Sequence, residues 1–453
     1  MFSQRVKISF IAFALISLQI GFSYADVVSI KERKKQLIAE EHLVHENEKN
    51  ENFIIDKNAK LEDYIRIGLK NNPGLRSEFY KWKSSFKKIS KESSLSDPQF
   101  TYEVETRVVP QERTFSINQE LPLPDKLWIR KSKAFKASEE AYYNFQKNQL
   151  ELVYKITDVY YEYAYLSKAI LLMEENIKLL KNFESVAQAR YKSALAQNQD
   201  LLKVQVELGR LENDLYSLRD MQLPLVSRLN ALLNLPKNNL LPWPNESLED
   251  AVMQERYKEV DDLYDVLKEE NPEILASSSK VEENKDALKL AKREYFPDLT
   301  VGVTQIDTGD ALNSSTVDSG KDPLMVMFSV NVPIWFNRLN AGVQDAKASL
   351  NASENYLENK ENELFSQLAL VHYKLRDALR QSQLYKDALL PKASQALNAT
   401  QSGYESGKVE FLSLIDAQRV LFNFQLAYYR FNANFHQRLS ELQSLLGKID
   451  RDN

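Results

Sequence analysis

The chain carries few side chains of the types that catalyse reactions or bind metal ions. Cysteine is absent, and the four histidines stand at positions 42, 45, 372 and 436. His42 and His45 could share a metal ion at their i, i+3 spacing, but a solvated tail explains them better because charged residues surround them. No phosphate-binding glycine loop, Gly-x-Ser-x-Gly elbow or His-Glu-x-x-His sequence occurs. The sequence therefore predicts no enzyme, no cofactor and no metal site.

The elements that would position any site must be long. The chain has 453 residues but only 11 glycines, about 2.4% against a typical ~7%, so it has few turns. Residues 125–208 and 343–390 contain neither proline nor glycine. The 59 Lys and Arg against 64 Asp and Glu leave a net charge of −5, which disfavours a nucleic-acid partner.

The N-terminus indicates export. Arg5 and Lys7 precede an apolar stretch from Ile8 to Phe22, and the small residue Ala25 follows. This order predicts a secretory signal peptide over residues 1–25, with an uncleaved membrane anchor as the alternative.

Apolar residues inside the uninterrupted stretches alternate at spacings of 4 and 3, which is a coiled-coil seam. The first seam comprises Leu152, Ile156, Val159, Tyr163, Leu166, Ile170, Met173, Ile177 and Leu180. The second comprises Leu364, Leu368, Val371, Leu375, Ala378, Ser382, Tyr385 and Leu389. Further apolar residues beside the first seam predict a wall of several helices.

The chain is also duplicated. Asn72-Pro73 matches Asn271-Pro272 at an offset of 199, whereas Tyr191 matches Tyr404 and Gln205 matches Gln418 at an offset of 213. The offset grows between the strand-like segments, which predicts a longer second-half loop around residues 307–322.

The predicted organisation has six parts. These are a signal peptide (1–25), a flexible N-terminal segment (26–60), a first repeat (61–237, strands about 98–121, long helices about 125–232), an inter-repeat segment (238–260), a second repeat (261–447, strands about 297–333, long helices about 338–446) and a C-terminal tail (448–453).

Four short segments alternate apolar and polar residues with a period of two, as strands of outer-membrane barrels do. In the first of them Phe100, Tyr102 and Val104 alternate with polar residues. Strands half-buried on a soluble core would look the same locally. We place the polar residues Thr101, Glu103, Glu105 and Arg107 in a barrel lumen.

Four strands cannot close a barrel in lipid, where every backbone group must be paired. Two copies of the chain would supply 8 strands and three would supply 12, and only 12 leave room for a lumen. The nearby basic cluster of Lys126, Arg130, Lys131, Lys133 and Lys136 could meet lipid head groups or form an ordinary solvated face.

The ordered, duplicated set of features resembles the TolC-like outer-membrane factors of tripartite efflux pumps over roughly residues 61–447. The heavy-metal and multidrug branch is the most similar, judged from residues 121–126 (Leu-Pro-Leu-Pro-Asp-Lys) and 332–337 (Val-Pro-Ile-Trp-Phe-Asn). The resemblance implies a mainly α fold in which duplicated long-helix hairpins form a trimeric α-barrel. It also implies four strands per chain in a shared 12-stranded transmembrane β-barrel.

The same resemblance implies an exit channel in the outer membrane with a periplasmic helical extension, a periplasmic adaptor and an inner-membrane pump as partners. Family members place acidic residues in the turns between long helices, where the periplasmic aperture lies. The corresponding aperture and adaptor-contact residues here are Tyr191, Ala194, Asp200, Tyr404, Gly407, Ser413 and Asp416. Asp200 and Asp416 are the candidate ring carboxylates, with helix N-terminal acids as the alternative explanation.

Other functions remain open at this point. A periplasmic coiled-coil adaptor or scaffold would explain the heptads, but not the duplication together with four amphipathic strands. An exit channel for type I protein secretion would share every feature given above. The cargo, whether metal ion, drug or polypeptide, is not determined by these residues.

Overall fold

The computed structural model of the protein describes residues 24–47, 55–105, 111–193, 198–244, 248, 251–254, 257, 259–309, 317 and 320–448. Of the predicted signal peptide, only Tyr24 and Ala25 lie among them. The first helix, α1 (Tyr24–Asn47), covers part of the segment for which we predicted a flexible lead-in. A helix forms there because residues 25–47 contain neither glycine nor proline and are rich in Lys, Glu, Leu and Ala. His42 and His45 both lie on it.

The other elements confirm the predicted mainly α class with a small β part. They are α2 (Leu61–Asn71), α3 (Pro73–Glu92), β1 (Gln99–Val104), β2 (Gln111–Leu121), α4 (Pro124–Lys192), α5 (Asn198–Asp220), α6 (Gln222–Leu233), α7 (Val260–Glu270), α8 (Pro272–Arg293), β3 (Leu299–Thr308), β4 (Leu324–Val330), α9 (Phe336–Leu384), α10 (Leu390–Glu405) and α11 (Phe411–Leu445). Each half has two short helices before its strands, α2 and α3 in the first and α7 and α8 in the second. With 69 residues at 1.5 Å each, α4 is about 100 Å long.

The long helices form a wall one helix thick. Within it α4 contacts α3, α5, α6, α8 and α11, and α9 contacts α8 and α11. Eight of the nine predicted seam positions on α4 are buried, with Ile170 half-buried. On α9 the predicted seam is buried from Leu364 to Ser382.

The second seam ends where the helix changes its winding. Tyr385–Leu389 form a π-helical turn, in which the N–H of Leu390 donates to the carbonyl of Tyr385. Pro391 follows directly, and proline has no N–H to continue an α-helical ladder. The first half has no such break, because α4 runs continuously from residue 124 to residue 192.

Short and long helices are joined end to end by two equivalent asparagines. The Asn72 side-chain oxygen accepts from the N–H of Leu75 at the start of α3, and its Nδ2 donates to the carbonyl of Leu232 at the end of α6. Asn271 caps α8 in the same way and donates to the carbonyl of Leu445 at the end of α11. The predicted repeat therefore corresponds to a repeated structural joint.

The four strands form one antiparallel sheet in the order β1-β2-β3-β4. Within it, β1 and β4 each have a described strand on one side only. The strands lie at the end of the wall where α3 and α8 end and α4 and α9 begin.

Candidate functional site

The register of the sheet separates an apolar face from a polar face. Directly paired residues of neighbouring strands lie on the same face. One row across the sheet is Phe100, Ile117, Val303 and Val326, and a second row begins with the ring pair Tyr102 and Phe115, whose centroids lie 5.0 Å apart. These side chains have no core over them, and Phe328 on the same face is 71% exposed.

The opposite face carries most of the polar residues, whereas Gln119 and Gln305 lie on the apolar face. Its central row is Thr101, Ser116, Thr304 and Met325. Glu103 pairs with Thr114 on this face, and Glu105 is exposed just beyond the end of β1. Three of the four predicted lumen residues are thus described on or next to one polar surface, and Arg107 lies outside the described residues.

A buried ion pair joins the sheet to the helical wall. Lys126 at the start of α4 is 1% exposed, and its Nζ donates to both carboxylate oxygens of Asp298 and to the carbonyl of Phe296, each at 2.9 Å. Asp298 also accepts from the N–H of Leu123 at 3.2 Å. The strand β3 of the second half is thereby fastened to the first long helix.

At the far end of the wall the tips of the two halves are linked. Arg190 near the end of α4 donates to the carbonyls of Tyr404 and Glu405, the latter at 3.1 Å. Its guanidinium lies 4.8 Å from the centre of the Tyr404 ring, which is buried. Gly407 has a φ of +76°, a left-handed conformation that favours glycine after the end of a helix.

The predicted aperture residues are placed differently from one another. Asp200 is half-buried at the start of α5. Its pKa is raised, because burial and the nearby charge of Glu410 outweigh the opposing effects of Lys203 and Arg190. Asp416 and Ser413 are exposed on α11, and so is Tyr191 on α4. Ala194 lies outside the described residues. Asp416 is therefore the more accessible of the two candidate carboxylates.

A charge network behind these residues connects α5 to α11. Arg419 lies 3.4 Å from Asp416 and 3.3 Å from Glu207, and Arg210 lies 2.7 Å from Glu207. Hydrogen bonds from Arg210 and Arg419 hold the pKa of Glu207 below its usual value against the opposing effect of burial. Sequence reasoning missed Arg190, Glu207 and Arg419, because no local pattern shows which distant helix a charged residue faces.

The two matched glutamines differ in environment. Gln418 is buried and donates to the side-chain oxygen of Asn176, across the contact between α11 and α4. Gln205 is exposed and donates to Glu184 at 3.0 Å. The repeat therefore conserves the residue type without conserving its role.

Two histidines lie in the helical wall as packing residues. His372 is buried, and its Nε2 lies 3.0 Å from the carbonyl oxygen of Tyr257. His436 stacks on Tyr161 with ring centres 4.6 Å apart, and burial lowers its pKa to about 4. Within the described ranges, no three His, Cys, Asp or Glu side chains are arranged to hold a metal ion.

The wall has two open edges with matching periodicity. On α5 the positions opposite the buried face are Leu202, Val206, Gly209, Asn213, Tyr216 and Asp220. On α9 they are Ser366, Leu370, Tyr373, Asp377, Arg380 and Leu384. Both sets are spaced 4, 3, 4, 3, 4, which is the seam spacing of a coiled coil, and all of these side chains are exposed except the half-buried Asp377. None of the described helices has an apolar stretch long enough for a bilayer crossing.

Comparison with known proteins shows where a similar sequence and a similar architecture occur. Residues 263–448 match the family described as "Outer membrane efflux protein". The cobalt-zinc-cadmium resistance protein CzcC of Cupriavidus metallidurans is 26% identical over 182 residues, which cover 40% of this chain and 41% of CzcC. The match therefore spans about two fifths of the length of that relative.

Solved structures match over most of the chain. The outer-membrane channel OprN superposes with a TM-score of 0.72 at 15% identity, covering 85% of this chain and 89% of OprN. The outer membrane protein VceC of Vibrio cholerae gives a TM-score of 0.71 at 16% identity, with coverage of 85% and 96%. The chain has the fold of these outer-membrane proteins, and the resemblance to TolC-like efflux proteins is confirmed. The comparisons also agree with the predicted outer-membrane localisation.

Proposed function

We propose that this chain forms the outer-membrane exit duct of a tripartite efflux system, as a homotrimer whose helical wall extends into the periplasm. The observation that carries the proposal is the sheet, which has one exposed apolar face, one polar face and two edges that no other described strand of the chain pairs with. In water this sheet would expose its apolar face. In lipid a single copy would leave the backbone N–H and C=O groups of its two edge strands without hydrogen-bond partners.

Closure by identical copies satisfies both edges at once. Repeating a rotation that brings the β1 edge of one copy against the β4 edge of the next produces a ring. Three copies give a 12-stranded barrel whose apolar face meets lipid and whose polar face lines the lumen, with Thr101, Glu103 and Glu105 inside.

The helical wall supports the same assembly. The exposed seam on α9 belongs to the helix that follows the edge strand β4, and the exposed seam on α5 belongs to the helix that follows α4. In head-to-tail contact the α5 seam of one copy faces the α9 seam of the next. Repeating this contact closes the helices into an α-barrel below the β-barrel.

The tips of the long helices form the periplasmic aperture and the contact with a periplasmic adaptor. Three copies of Asp416 around one axis attract cations and repel anions at this mouth. Asp200 is instead half-buried at the start of α5, so we assign it to the packing of the tip and not to the open mouth. Transport energy comes from an inner-membrane pump, and the chain itself catalyses no reaction and uses no cofactor.

Two measurements test the proposal, namely the number of chains in the assembly and its ion conductance. We expect the full chain, purified in detergent, to run as a trimer by native mass spectrometry and to conduct ions in planar bilayers. A protein that remains monomeric and soluble without detergent contradicts the proposal. A detergent-dependent trimer that does not conduct ions contradicts the duct but not the barrel.

A further inference from the structure

We infer that the junction between sheet and helical wall is a collar that binds anionic phospholipid head groups in the membrane leaflet facing the helices. The inference rests on the proposed function, which places the apolar face of the sheet in lipid. It adds a partner of defined chemistry, namely phospholipids with a net negative charge.

The first observation is the charge of three helix ends that the fold brings to this level. Residues 81–92 at the end of α3, 125–136 at the start of α4 and 284–294 at the end of α8 all lie next to the strands. Together they contain 14 Lys or Arg and 4 Asp or Glu, a net charge of +10 in a chain whose net charge is −5. The charge of these three ranges is therefore opposite in sign to that of the whole chain, although some of their cations pair with acids just outside them, as Lys126 does with Asp298.

The second observation is a set of exposed aromatic and apolar side chains in the same zone. Trp335 and Phe336 lie at the start of α9, shortly after β4, and are 71% and 63% exposed. Tyr295 and Phe296 precede β3 and are also exposed, and the Arg293 guanidinium lies 5.5 Å from the Phe296 ring centre. Aromatic rings at the level of the head groups, with Lys and Arg beside them, characterise a membrane–water interface.

The third observation is that several of the basic side chains are available. On α3 the buried residues are Leu75, Phe79, Trp82 and Ile89, and Lys87, Lys88 and Lys91 are exposed away from this face. Among the described residues no ion pair engages these three lysines. Their position directly below an apolar sheet face favours lipid phosphates over a soluble anion, since apolar rings and cations face the same boundary.

The experiment uses the full-length protein in detergent after removal of bound lipid. Phosphatidylglycerol or phosphatidylcholine is added, and retained lipid is counted by native mass spectrometry. Each lysine near an anionic surface contributes roughly fivefold to binding. The triple variant Lys87→Gln, Lys88→Gln, Lys91→Gln should therefore bind phosphatidylglycerol more weakly by on the order of 10- to 100-fold, with little change for phosphatidylcholine.

The matched control replaces three exposed lysines far from the sheet, Lys155→Gln, Lys178→Gln and Lys237→Gln. On α4, Lys155 and Lys178 lie about 45 and 80 Å from the first residue of the helix at 1.5 Å per residue. This control should retain phosphatidylglycerol as the wild type does. A salt titration of the wild type provides a test that needs no variant, because screening should reduce phosphatidylglycerol retention but not phosphatidylcholine retention.

Equal retention of both lipids by the wild type, or equal loss in the triple variant and the control, overturns the collar. Conductance measured in pure phosphatidylcholine separates this result from the proposed function. A trimer that conducts there but shows no lipid preference leaves the duct intact and removes the collar. A protein that inserts in neither lipid overturns the duct and the collar together.

Discussion

The side chain of Asn271 donates to the backbone carbonyl of Leu445 at 2.7 Å, although 174 positions separate the two residues. The same side chain accepts from the N–H groups of Glu273 and Ile274. One amide therefore caps the start of α8 and the end of α11, and it holds the ends of these two helices together. Asn72 and Leu232 repeat the arrangement in the first half at 2.9 Å.

Removing this joint should destabilise the protein. We expect Asn271→Ala to lower the free energy of unfolding by roughly 1–3 kcal/mol, because it removes a helix cap and leaves a buried carbonyl unpaired. Asn271→Asp should recover part of the loss, since it keeps the cap acceptor and lacks only the donor. The measurement is urea unfolding in detergent. The control Asn182→Ala changes an exposed asparagine on α4 and should lie within ~0.5 kcal/mol of wild type; equal effects of the two alanine variants contradict the prediction.

The buried pair of Lys126 and Asp298 should show strong coupling. Lys126→Met leaves the Asp298 carboxylate, which is 12% exposed, without its cation, and breaking a buried pair in this way costs about 3–5 kcal/mol. The double variant Lys126→Met, Asp298→Asn should recover a large part of the loss because no buried charge remains. A double-mutant cycle by thermal unfolding measures the coupling. The exposed pair of Lys81 and Glu78 is the reference, at roughly 0–1 kcal/mol, and purely additive effects at Lys126 and Asp298 would refute the argument.

His436 predicts a pH dependence of stability. Its pKa in the folded protein is lowered by burial to about 4, from an ordinary 6.5. The folded state therefore binds fewer protons than the unfolded state between these values, and stability falls as the pH drops from 6.5 to 4. The loss amounts to at most roughly 3 kcal/mol per chain. We expect His436→Phe to flatten this part of the profile in urea unfolding at pH 4, 5.5 and 7, whereas His42→Phe should follow the wild type.

The exposed seam on α9 predicts a specific assembly defect. Tyr373 is 63% exposed in the single chain, and a charge at this position should not affect the fold of the protomer. In the proposed trimer Tyr373→Glu places a carboxylate in a contact between copies, and we expect monomers by native mass spectrometry. Leu171→Glu is the matched control, since Leu171 is exposed on α4, which has neighbours from its own chain on both sides. Trimers in both variants would mean that the α9 edge is not the contact surface.

The two acidic residues of the tips should differ in their effect on conduction. Asp416→Asn removes an exposed charge and should lower the cation over anion permeability ratio by on the order of twofold, measured as a reversal potential in asymmetric salt. Asp200→Asn should leave that ratio unchanged, because Asp200 is half-buried beside Arg190 and Tyr404. Equal shifts would place both carboxylates in the aperture.

The sequence alone determined the features that depend on local periodicity. The heptad spacing from Leu152 to Leu180 predicted the buried side of α4, and the alternation around Phe100 and Val326 predicted two-faced strands. The duplication could be detected because the pair Asn72-Pro73 recurs as Asn271-Pro272. Part of the segment over residues 26–60 forms α1, because a charged segment without glycine or proline also satisfies the requirements of a helix.

Only the tertiary structure decided which distant residues meet. Lys126 reaches Asp298 across 172 positions, and Arg190 reaches Tyr404 across 214. No local pattern encodes these contacts, because they depend on how two similar halves lie side by side in one wall. The π turn at Tyr385–Leu389 and the two open edges were likewise visible only once the helices were packed, since an edge is defined by the neighbour that a strand or helix lacks.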